Sequence, residues 1–306
     1  MKKIIITGNK GFVGTNLSEF FKARDKQVLG ISRKPKENEI NYNNLNRSVL
    51  NSSKVFIHLA GKAHDLKKTS EDSEYFEVNF ELTKTLFDQF LESNCEVFMY
   101  MSSVKAVADQ VEGVLTEDVA PNPITVYGKS KLAAENYILS KEIPKNKRVY
   151  ILRPCMIHGP NNKGNLNLLY SFVSKGIPYP FGAYKNKRSF VSVENLCFII
   201  NVLIENDQIK SSVYNIADNE SLSTNELVNA IGLAIAKPTK ILNTPKSIVH
   251  FFAKIGDVIP LPINSERLQK LTENYVVSNE KIKDAIGKEL PLSAIEGITK
   301  TIKSFR

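Results

Sequence analysis

The fold is decided by one stretch near the amino terminus, Thr7-Gly8-Asn9-Lys10-Gly11-Phe12-Val13-Gly14. It follows the short β-branched run 3–7 and leads into apolar residues of helical period, which predicts a strand, a glycine turn and a helix. Glycines at this spacing permit a tight turn and close approach of the backbone to a pyrophosphate, while the helix offers free N–H groups. The stretch therefore predicts a dinucleotide site whose cofactor-binding residues are Gly8, Lys10, Gly11, Phe12, Val13 and Gly14.

The end of the next predicted strand, residues 27–32, bears on the choice of cofactor. An acidic side chain there binds the 2′-hydroxyl of the adenosine ribose, whereas a nearby arginine accommodates a 2′-phosphate. Ser32 and Arg33 stand at this point, with no acid before Glu37. We therefore predict NADP, contacted by Ser32 and Arg33, with NAD as the alternative.

Strands continue to alternate with helices through the first half of the chain. Strand patterns cover 55–61, 96–101 and 148–153, and a long amphipathic helix covers about 73–93. This alternation predicts an α/β fold with a doubly wound parallel (Rossmann) sheet, whose ligands lie beyond the carboxyl ends of the strands. The small residues after the third strand would let the backbone pass close to the cofactor, which adds Leu59, Ala60 and Gly61 to the cofactor-binding set.

Three polar side chains near this edge carry separate expectations. His58 lies inside an apolar strand and is predicted to be a core histidine. His64 follows the Gly61 turn and could line the site. Asn79 sits on the long helix, where a buried amide needs partners, and either ties a neighbouring loop or contacts the cofactor.

The pattern Tyr-x-x-x-Lys occurs twice, as Tyr127 to Lys131 and as Tyr137 to Lys141. Tyr137 lies ten residues further on, hence roughly 15 Å along the helix axis. Only Tyr127 is therefore expected at the cofactor edge of the sheet, and the second pair is predicted to serve the core and the surface.

The first pair predicts proton transfer. Lys131 shares a helix face with Tyr127, and a nearby ammonium is expected to lower the pKa of a phenol, so that it can exchange a proton near neutral pH. Ser103, at the end of strand 96–101, could orient the same substrate oxygen, with Ser102 as the runner-up. The predicted catalytic residues are Ser103, Tyr127 and Lys131.

Together with Arg153-Pro154, these motifs resemble the extended short-chain dehydrogenase/reductases, the NAD(P)-dependent nucleotide-sugar epimerase/dehydratase group, over nearly the whole chain. Within that group the chain is similar to bacterial surface-polysaccharide 4-reductases that act on UDP-4-keto-6-deoxy-N-acetylhexosamines. The loop after Ser103 lacks the Tyr-Gly common in epimerases of the group. The segments that carry the closer similarity are 101–105, 165–166, 176–182, 186–191 and 222–224.

The resemblance implies roles for several residues. Tyr127 would donate the proton, Lys131 would also hold the nicotinamide ribose, and Ser103 would support the sugar carbonyl. The substrate diphosphate would be met by Asn165 and Arg188, with Arg267 as a further candidate, although each arginine could instead form a surface ion pair.

The resemblance also implies two domains and a homodimer. Residues 1–155 and about 189–217 would form the dinucleotide-binding domain, and about 156–188 with 218–306 a smaller α/β substrate domain. Helices near 73–93 and 127–142 would form the dimer contact.

Composition limits the class of protein. The 306 residues carry 41 lysines and arginines against 32 acids, a net charge of +9, but the basic residues are scattered and do not indicate nucleic acid. Three isolated cysteines indicate neither disulfides nor a metal site, which suits the cytoplasm. The most apolar late segment, residues 248–263, is broken by Lys254, Asp257 and two prolines, so it predicts no integral membrane segment but leaves weak contact with a membrane surface open.

Three functions compete at this point. The first is NADPH-dependent reduction of the 4-keto group of a UDP-sugar in cell-surface polysaccharide synthesis, which Ser32 and Arg33 favour. The second is a UDP-hexose 4-epimerase that retains NAD. The third is a non-catalytic cofactor sensor, which the intact Ser103, Tyr127 and Lys131 set disfavours because a sensor needs no proton relay.

Overall fold

The computed structural model describes residues 3–63, 71–162, 165–259 and 263–305. The strands are β1 (Lys3–Thr7), β2 (Val28–Ile31), β3 (Glu39–Ile40), β4 (Ser53–His58), β5 (Val97–Met101), β6 (Val114–Leu115), β7 (Arg148–Pro154), β8 (Met156–His158), β9 (Phe190–Ser192), β10 (Ser212–Ile216) and β11 (Val276–Val277). The helices are α1 (Phe12–Lys22), α2 (Arg47–Asn51), α3 (Asp72–Phe76), α4 (Leu82–Leu91), α5 (Val126–Leu139), α6 (Asn165–Ser174), α7 (Val193–Glu205), α8 (Thr224–Ala234), α9 (Lys246–Val258), α10 (Ser265–Thr272), α11 (Glu280–Ile286) and α12 (Ala294–Lys303). A π-helical turn, Glu77–Glu81, joins α3 to α4, and 3₁₀ turns cover Tyr42–Asn44 and Val104–Ala106.

The central sheet is parallel and has the order β3-β2-β1-β4-β5-β7-β10. Successive strands extend outward from β1 on one side and from β4 on the other, so the order reverses between these two strands. Ligands of doubly wound sheets bind in the crevice at this reversal, beyond the carboxyl ends. The predicted fold class is confirmed, and the glycine turn after β1 lies at the expected point.

Apolar layers cover both faces of the sheet. The interior positions of β1, β4 and β5 alternate between a layer shared with α1 and α7 and a layer shared with α2, α4 and α5. His58 is fully buried beside the layer that the sheet shares with α2, α4 and α5. Its Nδ1 lies 2.6 Å from Thr7 Oγ1, and its Nε2 lies 2.9 Å from Thr83 Oγ1. Burial lowers the pKa of its imidazole to about 3, so His58 is the neutral core histidine that the strand pattern predicts.

The second half of the chain builds a separate apolar cluster. It joins α6, α8 and α12 to β9, with Leu227, Ile231 and Ile298 at its centre. Part of the predicted substrate domain packs on the predicted dinucleotide-binding domain. Ile282 and Ile286 of α11 lie in the core of the main sheet. Among the described helices, none is both long enough and apolar enough to cross a bilayer.

Candidate active site

The glycine turn brings backbone close to backbone at two points. Gly8 has φ of +68°, and a Cβ added there would lie 2.8 Å from the Ala60 amide nitrogen. A Cβ at Gly14 would lie 2.2 Å from the Gly8 carbonyl oxygen. Gly11 caps α1 and no side chain among the described residues caps its first turn, so the N–H groups there can meet a phosphate. Phe12 and Val13 begin the helix and pack against the core. The turn therefore fits a dinucleotide.

Gly14→Ala is expected to lower NADPH and NADH affinity on the order of a hundredfold, because the new Cβ would push the turn away from its phosphate-binding shape. Fluorescence titration of both cofactors measures this. Gly113→Ala is the control for a destabilising substitution away from the turn, since Gly113 has φ of +76°, which strains an alanine, but an added Cβ there has open space. Equal loss in both variants would mean a general loss of stability and would contradict the role of the turn.

A carboxylate that sequence reasoning missed lies beside the turn. The two-residue strand β3 pairs Glu39 with Gly30, and Glu39 accepts a hydrogen bond from Asn9 Nδ2 at 2.7 Å and forms an ion pair with Lys10 at 2.8 Å. Burial alone would raise the pKa of Glu39, but hydrogen bonds from Lys10 and Lys36 outweigh it and lower the pKa below its usual value. The sequence signal for a close neighbour at this point was Gly30, inside β2. A side chain at position 30 would collide with the Asn9 side chain that bonds Glu39.

Ser32 and Arg33 follow β2 at its carboxyl end, as predicted. The Ser32 hydroxyl contacts the Lys34 carbonyl at 3.2 Å, and the Arg33 carbonyl accepts from Asn41 Nδ2 at 3.1 Å. Lys10 of the glycine turn also donates to the Lys34 carbonyl. These contacts hold the 32–34 loop against the turn, and the Arg33 side chain stays exposed.

The segment after β4 lies against α5, the helix that carries Tyr127 and Lys131. Leu59 packs on the core, the Ala60 amide donates to Thr7 Oγ1 at 3.2 Å, and a Cβ at Gly61 would lie 3.0 Å from Lys131 Nζ. Leu59, Ala60 and Gly61 thus lie between the glycine turn and the Tyr-Lys pair. His64 lies outside the described residues.

Asn79 ties this segment to α5. Its side chain accepts from the Lys62 amide at 2.7 Å and donates to the Lys62 carbonyl at 3.0 Å and to Ser130 Oγ at 2.9 Å. These bonds from a fully buried side chain confirm that Asn79 ties the loop at Lys62 to α5.

The two serines after β5 point to different partners. Ser102 donates to the buried carboxylate of Glu135. Ser103 instead lies near the Tyr127 hydroxyl, whose pKa it lowers, and accepts from the Lys105 amide at 3.2 Å. Successive side chains along an extended strand face opposite sides, so only one serine can meet Tyr127, and that serine is Ser103.

The pKa of Tyr127 moves in the opposite direction from the one we expected. Burial raises the pKa of its hydroxyl above the usual value, and the hydrogen bond with Ser103 opposes that rise. Burial dominates over any effect of Lys131 on this pKa, and the Lys131 Nζ donates to the Met101 carbonyl at 2.9 Å. The expected lowering of the pKa of Tyr127 by Lys131 is therefore wrong here, and Tyr127 is neutral at physiological pH.

Lys131 is buried beside aromatic and anionic groups. Its ammonium lies 4.9 Å from the centre of the Tyr100 ring. Burial lowers the pKa of Lys131 to about 8, and the Glu135 carboxylate opposes the fall. Since it borders Gly61 and the end of β5, this ammonium can reach a ribose hydroxyl at the same strand ends.

Behind the pair lies a buried ion pair that sequence reasoning did not assign. Glu135 follows Lys131 by one helical turn, is fully buried, and accepts from Arg153 Nε at 3.0 and 3.1 Å and from Arg153 Nη2 at 2.5 Å. Arg153 was noted only as part of a motif with Pro154. The available signal was the spacing 127, 131, 135, which places three polar side chains on one face of α5.

The second Tyr-x-x-x-Lys pair lies away from the strand ends. Tyr137 donates to the Asp88 carboxylate at 2.7 and 2.8 Å, and the half-buried Lys141 lies over its ring. Tyr137 thus links α5 to α4, as the core and surface interpretation predicts.

Arg188 lies on the substrate side of the strand ends. Its Nη1 donates to the Lys270 carbonyl at 2.7 Å, and its Nη2 lies 3.6 Å from Glu273. Burial lowers the pKa of its guanidinium and Glu273 opposes the fall, yet arginine remains charged. Lys105, two residues after Ser103, has its pKa lowered mainly by burial and also by the charge of Arg188.

Arg267 and Asn165 are the other two residues predicted to bind the substrate diphosphate. Arg267 is exposed in the first turn of α10, the helix whose Lys270 carbonyl meets Arg188. Asn165 begins α6, and its side chain lies outside the described residues. The structure therefore brings Ser103, Tyr127 and Lys131 to one edge with the glycine turn, and the substrate assignments stay predictions.

Comparison with known proteins identifies the family of the chain. Residues 4–217 match the NAD dependent epimerase/dehydratase family. The chain is 31% identical to a UDP-glucose 4-epimerase of Vibrio cholerae, over 99% of this chain and 95% of that protein. It is 26% identical to a dTDP-4-dehydro-6-deoxyglucose reductase of Escherichia coli, over 78% and 83%. The solved structure of MoeE5 in complex with UDP-glucose and NAD has the same fold, with a TM-score of 0.75, 21% identity and coverage of 99% and 98%. The chain belongs to the NAD dependent epimerase/dehydratase family.

Proposed function

We propose that this family member transfers hydride between a nicotinamide dinucleotide phosphate and C4 of a UDP-sugar, and that it works as a reductase of a UDP-4-keto-6-deoxy-N-acetylhexosamine. The observation that carries the proposal is the buried Tyr127 hydroxyl, which is neutral because burial raises its pKa and which lies near Ser103 at the carboxyl edge of the sheet. A neutral phenol is the form that donates a proton, and reduction of a ketone requires a proton for its oxygen.

Each residue of the set has a separate task. Ser103 orients the sugar oxygen toward the Tyr127 hydroxyl, which gives up its proton to that oxygen. The Lys131 ammonium holds the ribose next to the site by donating to its hydroxyls. The bound dinucleotide supplies or accepts the hydride. Arg188 neutralises the substrate diphosphate, since a guanidinium can meet two phosphate oxygens at once.

A second candidate is a UDP-hexose 4-epimerase that retains NAD. The Vibrio cholerae relative is named a UDP-glucose 4-epimerase, and the structure of MoeE5 was solved in complex with UDP-glucose and NAD. The Glu39 carboxylate beside the glycine turn also supports NAD, because an acid near the adenosine ribose repels a 2′-phosphate. An epimerase would first need Tyr127 as a base, which its raised pKa opposes.

One experiment separates the candidates. The protein is incubated with NADPH and a UDP-4-keto-6-deoxy-N-acetylhexosamine while the absorbance of the reduced nicotinamide is followed. A reductase consumes NADPH in step with loss of the ketone. A second incubation contains UDP-glucose in place of the keto sugar. Its conversion to UDP-galactose, with no loss of NADPH in either incubation, would favour the epimerase and overturn the reductase.

Arg33→Ser is expected to weaken NADPH binding roughly tenfold or more and to leave NADH binding unchanged, because only the 2′-phosphate gains a charge-assisted bond from a guanidinium. Equilibrium titration of both cofactors measures the ratio. Lys34→Ser is the matched control, since Lys34 is the adjacent exposed cation. Equal binding of NADPH and NADH by the unaltered protein would contradict the cofactor assignment from Ser32 and Arg33.

A further inference from the structure

Helix α9 presents a continuous apolar stripe to solvent. Large apolar side chains recur at positions 248, 251, 252, 255, 258 and 259, a spacing that places them along one side of a helix. Phe251 is 61% exposed, Phe252 52%, and Val258 86%. Single exposed apolar residues are ordinary, but a contiguous row of this size marks a contact surface.

The opposite side of α9 is already used. Val249 and Ala253 are buried against Tyr184 and against Leu268 of α10. An added Cβ at Gly256 would collide with the carbonyl of Ile263, so the helix is packed closely on this side. The exposed stripe is therefore held outward by packing and does not serve the core.

Charge along the helix shows what the stripe would contact. Lys254 is exposed and borders the stripe, and Lys246 lies at the helix start with its ammonium 5.3 Å from the Tyr184 ring. The acid of α9, Asp257, accepts hydrogen bonds from Ser265 and is thereby held toward α10. A helix whose exposed phenylalanines are bordered by an exposed lysine is suited to lie in the plane of an anionic bilayer.

We infer that the exposed face of α9, defined by Ile248, Phe251, Phe252, Ile255, Val258 and Ile259, docks the protein onto an anionic phospholipid surface. The net charge of +9 favours the same partner over a basic one. A symmetric contact with a second copy is disfavoured, because it would bring Lys254 of both copies into one interface.

This surface lies close to the substrate side of the candidate site. Leu268 packs α10 against α9, and the Lys270 carbonyl of α10 accepts a hydrogen bond from Arg188. Docking through α9 would therefore hold the substrate side of the protein near the bilayer without passing any helix through it. The inference does not depend on which sugar reaction the site performs.

The test is flotation of the full chain with vesicles of phosphatidylcholine mixed with phosphatidylglycerol, compared with phosphatidylcholine alone. The unaltered protein is expected to float with the anionic vesicles and to be released by salt. Phe251→Ser/Phe252→Ser and Lys254→Glu are each expected to lower the bound fraction on the order of tenfold. Leu233→Ser is the matched control, since Leu233 is 82% exposed but lies on α8.

The outcomes are decisive in both directions. Circular dichroism and turnover of a water-borne UDP-sugar should stay normal in all three variants, which separates loss of docking from loss of folding or function. Absence of flotation by the unaltered protein, or an equal loss in Leu233→Ser, would overturn the inference. A change of oligomeric mass in the double variant, with flotation unaltered, would assign the face to a second copy instead.

Discussion

Replacing Tyr127 with phenylalanine is expected to lower kcat by roughly 10²- to 10⁴-fold, the usual worth of a positioned proton donor. The change removes one hydroxyl, which lies near Ser103 at the carboxyl edge of the sheet. Affinity for the dinucleotide should stay nearly normal, because the glycine turn and the 32–34 loop are untouched. Steady-state kinetics and cofactor titration on the same preparation measure both quantities.

The chain contains its own control for this experiment. Tyr137 lies on the same helix and is also followed by a lysine four residues later, but its hydroxyl bonds the Asp88 carboxylate. Tyr137→Phe removes that bond, costing about 1 kcal/mol of unfolding free energy, and should leave kcat unchanged. Substantial turnover in Tyr127→Phe, or an equal loss in Tyr137→Phe, would contradict the role proposed for Tyr127.

Sequence alone identifies the parts of the site that depend on local pattern. The glycine turn is read from three residues between a strand and a helix, and parallel topology then places Tyr127 rather than Tyr137 at the strand ends. The core position of His58 follows equally from its place in an apolar strand.

What sequence could not supply depends on contacts between distant segments. Glu39 reaches Asn9 only because a two-residue strand adds to the sheet edge, and so short a strand has no readable period. The sign of the pKa shift on Tyr127 also required the structure. Charge proximity to Lys131 predicted a fall, but burial dominates and the ammonium is directed at the Met101 carbonyl.

The buried Glu135 carboxylate is the other group whose replacement should have a large effect. Glu135→Gln leaves the Arg153 guanidinium buried without its counter-charge, which should cost about 3–5 kcal/mol of unfolding free energy. It also removes the anion that holds up the pKa of Lys131. Lys131 is charged only below its pKa, which is about 8 in the unaltered protein, so kcat/KM should fall above that pH. Without the Glu135 carboxylate the pKa of Lys131 falls further, and this decline should begin at lower pH.

Arg153→Met removes the positive member of the same ion pair and therefore predicts the opposite shift in the pKa of Lys131. It leaves the carboxylate of Glu135 uncompensated beside Lys131, so the pKa of Lys131 should rise and the basic limb should move to higher pH. Both variants should unfold more easily in denaturant, since each leaves one buried charge unpaired. A purely structural pair would lower stability in both and shift the limb in neither, whereas opposite shifts would show that Glu135 positions the charge of Lys131.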